Sequence, residues 1–301
     1  MRVFVTGATG YIGSAVVREL LGAEHQVVGL ARSDTAAAAL KAAGADVHRG
    51  ALEDLDTLHD GAAIADGAIH CAFNNISETT DMATSAKVDL RAVETLGAAL
   101  EGSGKPFAVT SGTMALTPAR LGTEEDPPDP HSPGAPRVPT ELAVIAMAER
   151  GVRSSAVRLA PTVHGEGDKH GFVASLIGIA RAKGVSAFVG DGSNRWPAVH
   201  RLNAARLFRL AVEAAPAGSR LHGAGEDGVP FREIAEAIGL QLQLPVRSVA
   251  AEDARDHFSF LSAFVSTDNP TSSALTRERL AWKPEGPALI PDIEGGHYFN
   301  D

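Results

Sequence analysis

Gly7, Gly10 and Gly13 stand three apart in the opening segment TGATGYIG, a spacing suited to cradling phosphate. The first glycine permits a tight turn, the second lets backbone approach a pyrophosphate, and the third lets a following helix lie close to the strand. Such a triplet carries weight only between a strand and a helix. Residues 2–5 form a short apolar run, and residues 14–21 (SAVVRELL) put Ala15, Val16, Leu20 and Leu21 on one side of a helix. The free N–H groups and positive dipole end of that helix then face the phosphates. Thr9, Tyr11 and Ile12 lie in the same turn and are expected to touch the dinucleotide with the glycines. Beyond the second apolar run, Arg32 and Ser33 stand where such an arrangement meets the adenosine ribose. A carboxylate there grips the ribose hydroxyls, whereas a cation with a hydroxyl suits a 2′-phosphate, so NADP(H) is expected in preference to NAD(H). Asp34 comes one or two positions late for the carboxylate role.

Positioning these residues requires alternating strands and helices, and the first half of the chain has that rhythm. Strands are expected over 25–30, 45–48, 67–72, 106–110 and 154–159, with helices over 35–43, 55–61, 83–100 and 140–150. The pattern predicts an α/β fold, a Rossmann-type doubly wound parallel sheet with right-handed crossovers and helices on both faces. Residues 122–139 (GTEEDPPDPHSPGAPRVP) are acidic and proline-rich and read as a long loop over the sheet's carboxyl edge. After Gly165 the texture loosens. Residues 1–165 are therefore expected to form the dinucleotide-binding domain, joined again by residues 198–223, and residues 166–301 a small C-terminal substrate-binding lobe.

At 301 residues, 44% hydrophobic and 21% charged, the chain has the composition of a soluble protein with a substantial core. A net charge of −10 argues against nucleic acid or an anionic membrane as the main partner. Arg2 leads straight into a strand, so no secretory leader is expected, and no apolar run is long enough to span a bilayer. The expected setting is cytoplasmic, the expected partner a small-molecule substrate, and homodimerisation stays open. Cys71, the single cysteine, excludes internal disulfides and reads as an inert core thiol. The histidines show no metal-ligand spacing, so no metal is expected.

TGATGYIG, VTSGT at 109–113, VRLAPTVHG at 157–165 and WPAVH at 196–200 follow in an order that resembles the extended or atypical short-chain dehydrogenases/reductases, of the NAD-dependent epimerase/dehydratase kind. The resemblance implies a Rossmann domain holding NAD(P), with substrate in the crevice beneath a small lobe. It implies that Ser111 bonds a reacting carbonyl, a role Thr113 could share, against the alternative of a serine that only caps its turn. Leu52 takes a place often held by an acidic residue and is expected to pack on the adenine. Ala72 and Asn74, with Asn75, come where the nicotinamide ribose is met, although Asn-Asn is also ordinary turn chemistry.

The departure from the family pattern is equally informative. The usual catalytic pair is Tyr-x-x-x-Lys, but here Arg137 stands at the tyrosine position and Glu141 at the lysine position. The two tyrosines, Tyr11 and Tyr298, lie in the glycine turn and near the C-terminus. Arg137 and Glu141 could pair across one helical turn, or Arg137 could clamp an anionic group while Glu141 attracts a cationic one. His164, just past a strand and over the expected nicotinamide, is the first replacement acid. His131, His170 and His200 occupy loop or strand-end positions, and the segment with His297 and Tyr298 either folds back as a lid or frays.

These features point to an NADPH-dependent oxidoreductase passing hydride to a small carbonyl or imine without the usual tyrosine acid. An iminium already carries its proton, so the missing tyrosine would cost it little. The alternatives are an NADP(H)-binding sensor without turnover and a nucleotide-sugar epimerase/dehydratase. The latter is disfavoured by the missing pair and by the scattering of Arg195, Arg201 and Arg206.

Overall fold

The computed structural model describes residues 1–73 and 81–299. Alternation begins at once: β1 (Arg2–Thr6), α1 (Tyr11–Gly22), β2 (Gln26–Ala31), α2 (Asp34–Ala43), β3 (Asp46–Arg49), α3 (Leu55–Ala63), β4 (Gly67–His70), α4 (Met82–Ala99), β5 (Pro106–Gly112), α5 (Val138–Ala146) and β6 (Arg153–Leu159). Capping fixes several helix starts. Ser33 accepts from Ala36 N–H at 3.1 Å, and Asp54 and Asp81 do the same for α3 and α4. α1 starts at Tyr11, before the expected Ser14, because Gly10 in extended geometry is its N-cap.

After β6 the chain forms β7 (Thr162–His164), α6 (Phe172–Lys183), β8 (Ser186–Val189) and β9 (Arg195–His200). It then returns to the main sheet through α7 (Arg201–Ala214) and β10 (Ser219–Gly223). β11 (Glu226–Pro230), α8 (Phe231–Leu242), β12 (Val246–Val249), α9 (Ala254–Phe258), α10 (Ala274–Leu280) and α11 (Leu289–Glu294) complete the described elements.

The main sheet has seven strands in the order β10-β6-β5-β4-β1-β2-β3, with every pair parallel. Side chains alternate across it. Val3, Val5, Ile69, Ala108 and Val157 join α1 and α7 in one core, and Phe4, Ala68, Phe107, Val109 and Ala156 join α3, α4 and α5 in another. The sheet is thus doubly wound. Strand order reverses between β1 and β4, which opens a crevice at their carboxyl ends.

A smaller lobe stands beside that edge. It contains a three-stranded sheet β11-β9-β7 and a parallel pair β12-β8. Its core gathers Trp196, Phe231, Ile234, Phe258 and Leu289, with Trp196 and Phe231 edge-to-face at 4.8 Å. Among the described residues no helix is long and apolar enough to cross a membrane.

Candidate active site

A groove follows the crevice across the carboxyl ends of the strands. Its outer cavity, about 850 Å³, is lined by Leu30, Arg32, Ser33, Ala51, Leu52 and Ala72. Its inner cavity, about 690 Å³, reaches from the α1 turn to Ser111, Met114 and Arg137. Gly7, Thr9, Gly10, Cys71 and Phe73 border both, so the two form one extended trough. Its size and shape suit a dinucleotide with substrate beyond one end.

The glycines make the trough's floor. Gly7 has φ +66°, and a Cβ there would lie 2.6 Å from Ala72 N. A Cβ on Gly13 would lie 2.0 Å from Gly7 O, so only glycine lets α1 settle this close. α1 has no side-chain cap and no acid in its first turn, which leaves its N–H groups and positive end open to a pyrophosphate. These features fit a bound NAD(P), with Tyr11, Ile12 and Gly13 presenting those amides. Arg201 completes this end. Its guanidinium lies 4.6 Å from the Tyr11 ring centre and donates to Ser14 Oγ at 2.9 Å and Glu166 O at 2.7 Å. Sequence reasoning counted Arg201 only among scattered arginines; its position after the WPAVH strand was the available signal.

At the adenosine end, Arg32 is exposed at the rim and Ser33 spends its oxygen on capping α2 while its O–H remains able to donate. Arg49, which sequence reasoning missed, donates to Ser33 O and to Asp34, each at 2.6 Å. Asp34 is thereby held by a cation of its own. Leu52 lines the outer cavity, and Ala72 borders it. Asn74 and Asn75 lie outside the described residues.

The inner end departs from expectation in two places. Glu141 does not face the cleft and does not pair with Arg137. Its side chain is fully buried behind β5, gripped by Arg158 and reached by Arg220 at 3.3 Å. Ser111 Oγ donates to it at 2.7 Å. Burial would raise the Glu141 carboxyl, but Arg158, Ser111 and Arg220 outweigh it and hold the group below the usual carboxylate range. Arg158 continues to His222 Nε2 at 3.2 Å, and His222 Nδ1 donates to Ser272 O at 2.7 Å. Arg158 was legible only as part of the VRLAPTVHG run, and nothing local named Glu141 as its partner.

The second departure is His164. It is fully buried, does not line the cavity, and its Nδ1 lies 2.8 Å from Asp292 Oδ2, with His200 edge-on at 5.5 Å. β7 alternation turns Val163 toward the cavity and His164 away, so His164 does not reach over the nicotinamide position. Thr113 is likewise buried, donating to Asn269 Oδ1 at 2.8 Å.

Arg137 does line the cavity. Its Nη2 donates to Thr110 O at 2.7 Å and lies 3.4 Å from both Asp89 oxygens, while the guanidinium sits 4.3 Å above the Phe73 ring. Its Nε has no partner among the described residues. Asp89 in turn accepts from Thr140 Oγ1 at 2.9 Å and meets His70 Nε2 at 3.2 Å; His70 Nδ1 lies 2.8 Å from Thr6 Oγ1. Burial works against the Asp89 carboxylate, but Arg137, His70 and Thr140 hold it below the usual range. Arg137 is thus fixed from behind by a buried chain that begins on β1.

The C-terminal segment folds back. Tyr298 Oη accepts from Gly165 N–H at 3.1 Å, while Tyr11 Oη donates to Gly165 O at 3.0 Å. Burial pushes both phenols well above their ordinary value, Asp168 adding to the effect. Cys71 borders the trough rather than a closed core, and burial pushes its thiol up to about 12. Among the described residues no cluster of histidine, cysteine and carboxylate groups is arranged to hold a metal.

The sequence model of the NAD dependent epimerase/dehydratase family matches residues 3–222. The uncharacterized protein C2A9.02 of Schizosaccharomyces pombe is 50% identical over 300 residues, 99% of this chain and 100% of that one. A 4-hydroxy-2-methyl-3-oxo-4-farnesyl-3,4-dihydroquinoline-1-oxide ketoreductase of Stigmatella aurantiaca is 29% identical over 72% of this chain and 66% of its own. Among solved structures, the dTDP-glucose 4,6-dehydratase DesIV of Streptomyces venezuelae, with NAD bound, superposes with a TM-score of 0.78 at 20% identity, covering 99% of this chain and 96% of that one. The switch-point groove, the glycine floor and the family match agree: the chain belongs to the NAD dependent epimerase/dehydratase family and is an NAD(P)-binding oxidoreductase of the short-chain dehydrogenase/reductase type.

Proposed function

We propose that the protein is an NADPH-dependent reductase of a small, largely apolar carbonyl compound, working without a tyrosine acid. The observation that carries this is the charge at the inner end of the trough. Arg137 lines it, whereas Glu141 is buried against Arg158. The surrounding walls are apolar, with Phe73, Met114, Pro136, Phe172 and Phe264. A guanidinium in such a wall favours an oxygen gaining negative charge and repels an iminium, so a carbonyl is the better substrate. The ketoreductase similarity supports the same choice. A nucleotide-sugar substrate suits these apolar walls poorly.

Bound NADPH supplies the hydride; the chain's residues do the rest. The α1 amides and Arg201 hold the pyrophosphate end, Leu52 packs on the adenine, and Arg32, with the Ser33 hydroxyl, meets the 2′-phosphate. Arg137 orients the carbonyl oxygen, and the apolar walls exclude water.

Cofactor titration combined with turnover tests the proposal. NADPH is expected to bind tighter than NADH, and Arg32→Ala should cost NADPH about tenfold or more, since charge-assisted bonds are worth roughly 1.5–3 kcal/mol, with little change for NADH. Equal losses for both would remove the NADP preference. Tight binding without NADPH oxidation by any apolar ketone, aldehyde or quinone would mark the protein as a sensor instead.

A further inference from the structure

We propose that the substrate is a quinone-type conjugated carbonyl, one of whose oxygens ends as a phenolate held by Arg137. The inference rests on the reductase reading above and names its substrate class. Its basis is a mismatch between what Arg137 can do and what ordinary ketone reduction needs. Arginine does not surrender its proton in proteins, so Arg137 can bond an oxyanion but cannot protonate it.

Asp168 lines the same cavity and burial raises its carboxyl, but both its oxygens accept, from Gly171 N–H at 2.6 Å and Tyr298 Oη at 3.4 Å. The hydroxyls nearest Arg137 and the α1 turn donate within the protein. Ser111 donates to Glu141 at 2.7 Å, Thr110 to His70 O at 2.8 Å, Thr113 to Asn269 at 2.8 Å and Tyr11 to Gly165 O at 3.0 Å. Lys169 and His170 border the cavity from the exposed loop after β7, in contact with solvent. Arg137, by contrast, is built for a standing anion. It is backed by Asp89 and Thr110 O, it lies over Phe73, and its Nη1 carries no hydrogen bond among the described residues.

Basicity decides between substrates. A saturated ketone yields an alkoxide about as basic as hydroxide, whose parent water has a pKa of about 15.7. That exceeds the guanidinium's own value of roughly 12.5–13.8, so an alkoxide needs a proton at once. A phenol-type oxygen, near 10, rests beside a guanidinium as a stable ion pair.

The step balances without an acid. With NADPH bound, a hydride would pass from the cofactor with its electron pair and form a bond to one quinone oxygen. The ring electrons shift, and the opposite oxygen ends as the phenolate that Arg137 holds. The nicotinamide is oxidised by two electrons, the quinone is reduced by two, and the phenolate takes its proton from solvent after release. The aromatic and methionine walls, Phe73, Met114, Phe172 and Phe264, suit a flat apolar ring.

The test pairs turnover with a readout that needs none. With NADPH, 2-methyl-1,4-naphthoquinone should be reduced about 100-fold faster than the saturated ketone 2-decalone, the scale of a missing proton donor. Its hydride step should show no solvent deuterium isotope effect. Separately, 2-naphthol, whose absorbance distinguishes phenol from phenolate, should titrate at least about one unit lower when bound to the wild-type protein with NADP⁺. Arg137→Gln should abolish that difference and lower quinone turnover roughly 100-fold, as loss of an oxyanion donor does. Arg137→Lys, which keeps the charge if the glutamine variant folds poorly, should retain part of both.

Equal rates for decalone and naphthoquinone, an unshifted naphthol, or unchanged turnover in Arg137→Gln would overturn the proposal. So would loss of quinone turnover in His170→Asn, which would identify an acid. Decalone reduction at least as fast as naphthoquinone reduction would leave the reductase reading standing and remove only this substrate class. Failure to bind NADPH would remove both.

Discussion

His222 shows how one buried side chain can make the fold sensitive to pH. Its Nδ1 must carry the proton, because Ser272 O can only accept, and its Nε2 accepts from Arg158. Burial first, and then Arg158, lowers its pKa to about 4, with Glu124 and Glu141 opposing. The folded state therefore holds fewer protons than the unfolded chain between the unfolded value near 6.5 and about 4. The stability contribution is complete above 6.5 and declines as pH falls through that window. The loss should grow steadily as pH falls below 6.5. Denaturant unfolding from pH 7 to 4 should show this slope in the wild type, and His222→Asn should be less stable at pH 7 but flatter across the window. Parallel slopes in the two proteins would place the sensitivity elsewhere. His222 itself was legible only as a strand-end residue, because its partners Arg158 and Ser272 are 64 and 50 residues away.

At the scale of elements, the β1–α1 turn was the most readable part of the chain. Its constraints are local: a strand, glycine spacing and a helix within a few residues. The structure adds how tight the fit is, with Gly13 carrying no room for a Cβ beside Gly7 O. Gly13→Ala should push α1 from the sheet, costing roughly 1–3 kcal/mol of stability as overpacking does, and should weaken NADPH binding more than it weakens the fold. Isothermal titration beside urea unfolding would check both; unaltered NADPH affinity would show that the α1 amides do not hold the pyrophosphate. α5 was less readable. Four-residue spacing suggested an Arg137–Glu141 pair, but Arg137 precedes the helix as its N-cap and points to Asp89, while Glu141 turns into the sheet. Spacing along a helix names neighbours; packing selects which face each side chain uses.

For the whole molecule, the trough lies on the main sheet's edge while the smaller lobe has its own aromatic core. Trp196 is fully buried in that second core. Trp196→Ala should cost on the order of 3–5 kcal/mol, the usual range for deleting a buried tryptophan, yet weaken NADPH binding far less, since most of the cradle belongs to β1, α1 and β2 and only Arg201 follows β9. Saturating NADPH should then restore part of the lost melting temperature by mass action. Loss of NADPH binding in the still-folded variant would mean that the lobe shapes the cofactor cradle as well.

The sequence by itself determined the alternation of strands and helices, the doubly wound sheet and the dinucleotide cradle. Those features follow from periodicity and turn chemistry written within short stretches of chain. It also determined that the only tyrosines are Tyr11 and Tyr298, since that is a matter of residue identity. Only the tertiary structure decided which charged groups face the trough. It turned His164 and Glu141 inward to Asp292 and Arg158, brought Arg49 and Arg201 to the trough, and left Arg137 on the wall with Asp89 behind it. The physical reason is that a buried charge must be paired, and its partner is chosen by strand order and packing across the fold, at distances along the chain that no local pattern records.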